Sequence, residues 1–525
     1  MRKSTLLILC FFLSKLQAQN AGVLDTTFAV NGLSTIDRNT FESNIAFTIQ
    51  PDNKVVAVGF TEEAGVSKLT VIRYLPDGML DGTFASNGVF AGTYLQNINI
   101  AQAVTLQSDG KILVAGYGTN AQSANFYNDE LLVLRFNTDG TPDNTFATNG
   151  VKILDLGYNE RPVGIRTTSD GKILVAGSTF YSTASQLLVY RLNSDGNVDN
   201  SFGTNGYITT FFASSIWSYC YAMELQADGK ILLAGEAAGL GNKYFGIIRL
   251  NANGSLDQTF SGDGKATNNI SVKDDGAQAI LLLPNGKILL GGYAVNAENK
   301  TEIALTQFNS NGSLDNTFGD AGDVIAQLGN DYSTIADLSL TALGNIIIAG
   351  TARRFPSHFD FFLAKYRPDG SLDESFGEQG ITYTDYDGHF DGICDAQILQ
   401  DGKILVAGMG VNTSNSISEF LLARYWFGEN SGTEDLGELS VSAWAYPNPT
   451  TGHKMTLNYN LSEAAEVSLD LFSINGELLG ALSKFKKAAG NQRESITLPS
   501  GLAAGAYLIG IQAGDKQTFI KIIVQ

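Results

Sequence analysis

Three cysteines and three histidines in 525 residues leave little from which to build a disulfide framework, a cysteine-rich zinc site or a charge-relay catalyst. Cys10 falls in an N-terminal apolar stretch, and Cys220 and Cys394 lie far apart, so both are expected to be free buried thiols. Basic residues are scarce too: 34 Lys and Arg stand against 53 Asp and Glu. A surface of that sign repels nucleic acid and anionic lipid, which excludes nucleic-acid partners. No GxSxG, HExxH or P-loop pattern accompanies His358, His389 and His453, so no cofactor and no catalytic motif is legible. Beyond the N-terminus no apolar run approaches the roughly 18 residues that cross a bilayer, so no transmembrane segment is expected in the mature chain.

The N-terminus itself reads as a secretory signal peptide over residues 1–18. Arg2 and Lys3 precede the apolar stretch from Leu6 to Leu13, and Ala18 supplies a small residue before the cut. Cys10 sits in mid-stretch without small residues before it, which argues against a lipoprotein signal. Removal of this segment leaves 31 basic against 53 acidic residues, a net charge near −22. The mature chain is thus expected to be exported and strongly acidic.

What the chain has in abundance is repetition. LDTTF ending at Phe28 returns as LDGTF at Phe84, PDNTF at Phe146, VDNSF at Phe202, LDQTF at Phe260, LDNTF at Phe318 and LDESF at Phe376, at intervals of 56, 62, 56, 58, 58 and 58 residues. Such a period marks one supersecondary unit stacked on copies of itself. In the copy that starts at Leu80, strand-length apolar runs begin at Val89, Ala101, Lys111 and Leu131, and the Asp109-Gly110 turn joins the middle two as a hairpin. Four antiparallel strands per repeat describe the blade of a β-propeller. The chain opens with one outer strand from Leu33 and ends with three strands, the last being LLARYW from Leu421. The fold class expected is therefore all-β: a seven-bladed β-propeller over residues 19–427, closed by pairing of its N- and C-terminal strands, which would leave no open sheet edge.

Residues that recur in every copy are most economically structural. The Phe of each LDxTF run would fill the wedge between neighbouring blades, and the Asp three positions earlier would accept backbone N–H bonds in a tight turn. Strings such as Asn137 to Asp143 superficially suggest calcium loops. They lack the alternating acids and the closing bidentate Glu, and the Asp before Gly becomes Asn253 and Asn311 in two copies, as a turn tolerates.

Hairpin connectivity sends the DGK turns and LDxTF connections to one face and the non-repeating loops to the other, where binding is expected. That variable face carries Phe126 and Tyr127, Phe180 and Tyr181, Trp217 and Tyr219, and Arg353, Arg354, Phe355 and His358. Aromatics among polar groups at a funnel mouth suit a sugar ring or a peptide; the alternative is that they pack their own loops. Asp385, Asp387 and Asp391 in DYDGHFD form the one metal candidate worth naming. Two readings of another class stay open: a polysaccharide-acting enzyme using acids at the channel, and a structural surface component.

The period ends at the polar, acidic stretch 428–439, read as a linker. Beyond it about seven short strands, with the Asn475-Gly476 turn among them, indicate a small Ig-like β-sandwich over residues 440–525. YPNP (Tyr446, Pro447, Asn448, Pro449), GAY (Gly505 to Tyr507) and the terminal KIIVQ from Lys521 closely resemble the type A sorting domain of the type IX secretion system of Bacteroidota. The resemblance implies that the type IX machinery is a partner, that the final strands carry the signal, and that the product is secreted or attached to the outer-membrane surface. Leu508 stands where the family usually has Phe or Tyr. Residues 22–427 resemble the delta-60 repeat family of bacterial propellers, through DGKILVAG (Asp109 to Gly116, Asp170 to Gly177, Asp401 to Gly408), RLNSDG and LDxTF. That likeness implies a fold and no activity. The expectation is a non-catalytic module for an extracellular glycan or protein.

Overall fold

The computed structural model describes residues 21–36, 42–120, 128–181, 184–212, 217–238, 241–355, 358–399, 401–412, 417–427, 444–446, 454–461, 464–473, 478–499, 501–502, 505–513 and 516–524. The signal peptide, the linker, Phe126, Tyr127, Pro447, Asn448 and Pro449 lie outside the described residues. Every regular element among those described is a β-strand. The chain divides into two compact bodies, residues 1–428 and 429–525.

The first body consists of propeller-like repeats, which we label sheets I to VII. Sheet I is Glu42–Ile49, Val55–Glu63, Val66–Tyr74 and Val89–Gly92; sheet II is Ile98–Leu106, Ile112–Asn120, Asn128–Phe136 and Val151–Leu154. Sheet III is Asn159–Thr167, Ile173–Tyr181, Ala184–Leu192 and Tyr207–Thr210; sheet IV is Trp217–Leu225, Ile231–Ala238, Lys243–Leu250 and Lys265–Asn268. One parallel bridge, Ser185 to Trp217, makes these two continuous. Sheet V is Asp275–Leu282, Ile288–Val295, Thr301–Phe308 and Asp323–Ala326; sheet VI is Ser333–Leu340, Ile346–Phe355, His358–Tyr366 and Ile381–Thr384. Sheet VII has Asp391–Ile398, Lys403–Asn412 and Ile417–Trp426, and its outer strand is Leu33–Ile36, with Leu33 opposite Ala423.

Seven apolar clusters lie between successive sheets, and each holds one Phe of the LDxTF series. Phe84 sits between I and II with Val58 and Val104, and Phe28 sits between VII and I with Leu405 and Phe47. Full burial of each ring supplies about 1.5–3 kcal/mol. The Phe also floors the next turn: a Cβ on Gly140 would collide with the Phe84 ring, so only glycine lets that ring close against the backbone.

The aspartate of the same motif does more than hold a turn. In sheet II Asp143 accepts the Thr145 amide and hydroxyl through Oδ1, at 3.0 and 2.7 Å. Its Oδ2 takes Arg135 Nε at 2.7 Å and Lys111 Nζ at 2.8 Å. Arg135 then donates to the Ser194 carbonyl in the next sheet at 2.6 Å and lies 4.8 Å over the Phe146 ring. The lysine after the hairpin glycine is therefore an ion-pair partner as well as a turn residue. In sheet VI, where Asn345 replaces it, Lys365 and Arg367 serve Asp373 instead, at 3.0 and 3.2 Å.

The second body holds a three-stranded sheet (Trp444–Tyr446, Lys454–Leu461, Gly490–Thr497) and a four-stranded one (Leu478–Lys487, Ala465–Ser473, Gly505–Ala513, Lys516–Val524). Leu457 and Ile496 of the first share an apolar cluster with Val467, Ile511 and Ile522 of the second. Gly505, Tyr507 and Lys521 belong to the last two strands, where Gly505 pairs with Val524 and Leu508 with Lys521.

Candidate functional site

Each first strand carries a β-bulge near its start. The pairing slips between Asn44 and Ala46, Ala101 and Ala103, Pro162 and Gly164, Cys220 and Ala222, Ala277 and Ala279, Ile335 and Asp337, and Ile393 and Asp395. The extra residue swings its side chain inward, as bulges do. The bulge explains the terminal glycine of KILVAG: a Cβ on Gly116 would fall inside contact distance of the Ile100 carbonyl oxygen, and on Gly235 of the Tyr219 carbonyl oxygen.

All seven first strands line one central cavity of about 630 Å3. Its charged lining is Arg166, Glu224, Asp337 and Asp395. Arg166 pairs with Glu224 at 3.1 Å. Asp337 and Asp395 hydrogen-bond to each other; burial and then the Asp395 charge push Asp337 well up, while burial holds Asp395 at about 6 against the Phe47 amide and Arg166. Each also accepts a backbone N–H from the neighbouring sheet, Ala396 to Asp337 at 3.1 Å and Phe47 to Asp395 at 2.9 Å.

The first strand of sheet IV places Trp217, Tyr219 and Tyr221 at alternate positions. Neighbouring rings are near-parallel, with planes 17° and 19° apart and centroids 6.5 and 6.4 Å apart. Tyr221 is the bulge residue and lines the cavity, so the ladder has one end at the cavity. Phe180 of sheet III flanks it, 5.9 Å from Tyr219, and Tyr181 packs on Tyr158 at 4.2 Å. Lys243 lies 5.8 Å from the Tyr219 ring and pairs with buried Glu236 at 2.7 Å, which takes the Tyr293 hydroxyl at 2.8 Å. Tyr158 and Tyr221 remain 44% and 39% exposed, which leaves ring surface open to a ligand.

A second group gathers on sheets VI and VII. Arg353 covers the Phe359 ring at 4.7 Å and pairs with Asp331 at 3.0 Å, and Phe359 meets Tyr332 and Phe390 at 5.4 and 5.3 Å. Arg354 covers Tyr383 at 4.3 Å, and His358 lies 6.0 Å from His389. Phe355 stands at the end of its strand opposite His358. The arginines thus brace their own loops. Of the expected face residues, Phe180, Trp217 and Tyr219 come together, whereas Arg353, Arg354 and His358 form a different cluster.

The metal candidate needs correction. Asp385 and Asp391 converge, but their third member is Asp360, with an oxygen of each within 4.8 Å of the others, and Asp387 is no part of the group. Asp387 occupies a left-handed turn position, φ 63°. Asp360 was missed because it lies 25 positions before Asp385 in another strand.

Residues 50–84, 107–146, 168–202, 226–260, 283–318 and 344–376 match a family described as a domain of unknown function (DUF5122) beta-propeller, and residues 444–525 match a secretion system C-terminal sorting domain. No curated protein matches the chain. Among solved structures, the polysaccharide lyase Uly1 is similar at 12% identity, over 73% of this chain and 89% of that one, with a TM-score of 0.46. A putative glucose dehydrogenase-type oxidoreductase of Thermus thermophilus is similar at 13% identity, over 75% and 100%, with a TM-score of 0.34. The N11 neuraminidase-like protein of a flat-faced bat influenza virus is similar at 10%, over 78% and 98%, with a TM-score of 0.35. At such values none of these carries an activity across. The chain thus carries DUF5122 β-propeller repeats between residues 50 and 376 and a secretion system C-terminal sorting domain over residues 444–525.

Proposed function

We propose that this is a secreted or surface-attached seven-bladed β-propeller, exported by an N-terminal signal peptide and a C-terminal Ig-like sorting sandwich, whose variable face binds an extracellular glycan without turnover. Ring closure is supported by the last junction repeating the contacts of the others: the Gly377 amide donates to the Ala21 carbonyl at 2.8 Å, as the Ala85 amide does to that of Asp139 at 2.7 Å. The observation that carries the binding reading is the Trp217–Tyr219–Tyr221 ladder. Three near-parallel, partly open rings offer successive apolar platforms for pyranose faces, and Glu236, Lys243 and Tyr293 beside them offer hydroxyl partners.

Channel hydrolysis is the weaker reading. A glycosidase pair stands about 5–9.5 Å apart to admit a sugar or water. Asp337 and Asp395 are hydrogen-bonded to each other and to backbone amides of adjoining sheets, a stitching role. The test is binding of the purified protein to a panel of polysaccharides and glycans, with mass spectrometry of every hit. Bound, intact ligand supports recognition; shortened ligand would transfer the function to catalysis; no binding would favour a protein partner or a structural role.

A further inference from the structure

Asp360 and Asp391 are 2% and 0% exposed, and Oδ1 of each has no hydrogen-bond partner. Their other oxygens are engaged: Asp391 Oδ2 accepts the Tyr386 amide at 2.5 Å, and Asp360 Oδ2 lies 3.9 Å from Arg354 Nη1. Asp385, exposed at the rim, accepts the Gly388 amide through Oδ1 at 2.7 Å. Isolated buried carboxylate oxygens are costly unless something positive meets them. We propose that Asp360, Asp385 and Asp391 hold a hard divalent cation, of the calcium or magnesium class, between the third strand of sheet VI and the loop entering sheet VII.

Geometry and charge both fit. One ion with metal–oxygen bonds of about 2.3–2.6 Å spans oxygens up to roughly 5 Å apart, and these three lie within 4.8 Å of one another. Three carboxylates and the Arg354 guanidinium leave two negative charges for the ion to neutralise, with water completing its shell. A purely oxygen donor set selects a hard cation over zinc or copper.

The matching position of the first strand is buried in the other six sheets as well, as Glu42, Asn99, Glu160, Ser218, Asp275 and Ser333. Five of these accept a backbone amide of the incoming loop: Asn99 from Leu95, Glu160 from Leu156, Ser218 from Phe212, Asp275 from Ile270 and Ser333 from Leu328. Acidic and neutral side chains thus both serve that tie, and what sets Asp391 apart is that it faces two further carboxylates. It is the one such convergence among the described residues.

The experiment is calorimetric titration of the chelator-treated protein with calcium, magnesium and manganese, without glycan, so that its outcome is separate from that of the glycan panel. One equivalent of a hard cation is expected, with a melting rise of about 3 °C at a hundredfold excess over the dissociation constant. Asp385→Ala, at an exposed position that leaves the core intact, should weaken binding at least tenfold, and Asp360→Asn likewise where it folds. Absence of binding by all three ions, or unchanged stoichiometry and affinity in Asp385→Ala, would overturn the assignment.

Discussion

Arg424 reaches Asp25 across 399 positions of sequence: Nε and Nη2 meet the same carboxylate oxygen at 2.8 and 2.7 Å. Lys403 adds a third contact at 3.0 Å, and Arg424 Nη1 continues to the Pro76 carbonyl of sheet I at 2.8 Å. Within sheet I the same arrangement links Arg73 to Asp81, only 8 positions away. The long-range copy brings the N-terminal segment back to sheet VII.

Arg424→Met should cost about 3 kcal/mol in denaturant unfolding, since it leaves Asp25 buried with one partner fewer. It should also expose residues 21–36 to protease before the rest of the body. Burial works against ionisation of Asp25, but hydrogen bonds from Thr27 and Lys403 and the Arg424 charge outweigh it and hold the carboxyl at about 2. A lowered acid contributes stability above its unfolded value near 4, and that stability is lost as pH falls towards 2. Asp25→Asn should flatten this acid limb; an unaltered acid midpoint would contradict the clasp.

Gly116→Ala should destabilise by about 2 kcal/mol or more, as overpacking against an immobile carbonyl does. Gly171, whose added Cβ would meet nothing, carries only the strain of its positive φ of 80°, so Gly171→Ala should cost less. Equal melting temperatures for the two variants would remove the bulge explanation of KILVAG.

Strand positions, the repeat and the constancy of Phe and Asp were legible because each is a local pattern recurring at a fixed interval. The start of every outer strand, from Leu33 to Ile381, falls where the motif places it. The Arg–Asp–Lys cluster was not, because its three members come from a hairpin turn, a strand end and a connection that only the folded sheet brings together. The same limit hid Asp360 and Tyr221: the first joins its acids across strands, and the second faces the channel because of a bulge that alternation alone does not announce.

Glu160 is the second residue of the first strand of sheet III, and its burial, aided by the Asp155 charge, raises its carboxyl to about 8 despite the Leu156 amide. The folded state then holds a proton that the unfolded chain releases near 4.5, so stability falls as pH rises from about 4.5 towards 8. Glu160→Gln is expected to match the parent at pH 4.5 and to exceed it at pH 8 by about 2–4 kcal/mol. A constant difference between those two pH values would show that Glu160 does not titrate there.

Deletion of residues 505–525 removes the two strands in which Gly505 pairs with Val524 and exposes the edge of Ala465–Ser473. The repeat body shares no strand with them, so it should fold and melt as before while the protein accumulates in the periplasm. Cell fractionation decides the matter, and normal appearance of the truncated chain outside the cell would remove the sorting role.

Trp217→Ala and Tyr219→Ala should each lower affinity for a bound glycan by about 10- to 100-fold, since loss of one buried aromatic face is worth roughly 1.5–3 kcal/mol. Arg353→Ala should leave affinity nearly unchanged, because that guanidinium is spent on Phe359 and Asp331 in the other cluster. Tyr221→Phe keeps the ring and removes only its hydroxyl, so it separates stacking from hydrogen bonding at the channel mouth. If Arg353→Ala abolished binding while Trp217→Ala did not, the ligand would lie on sheets VI and VII, and the ladder would be packing for its own loops.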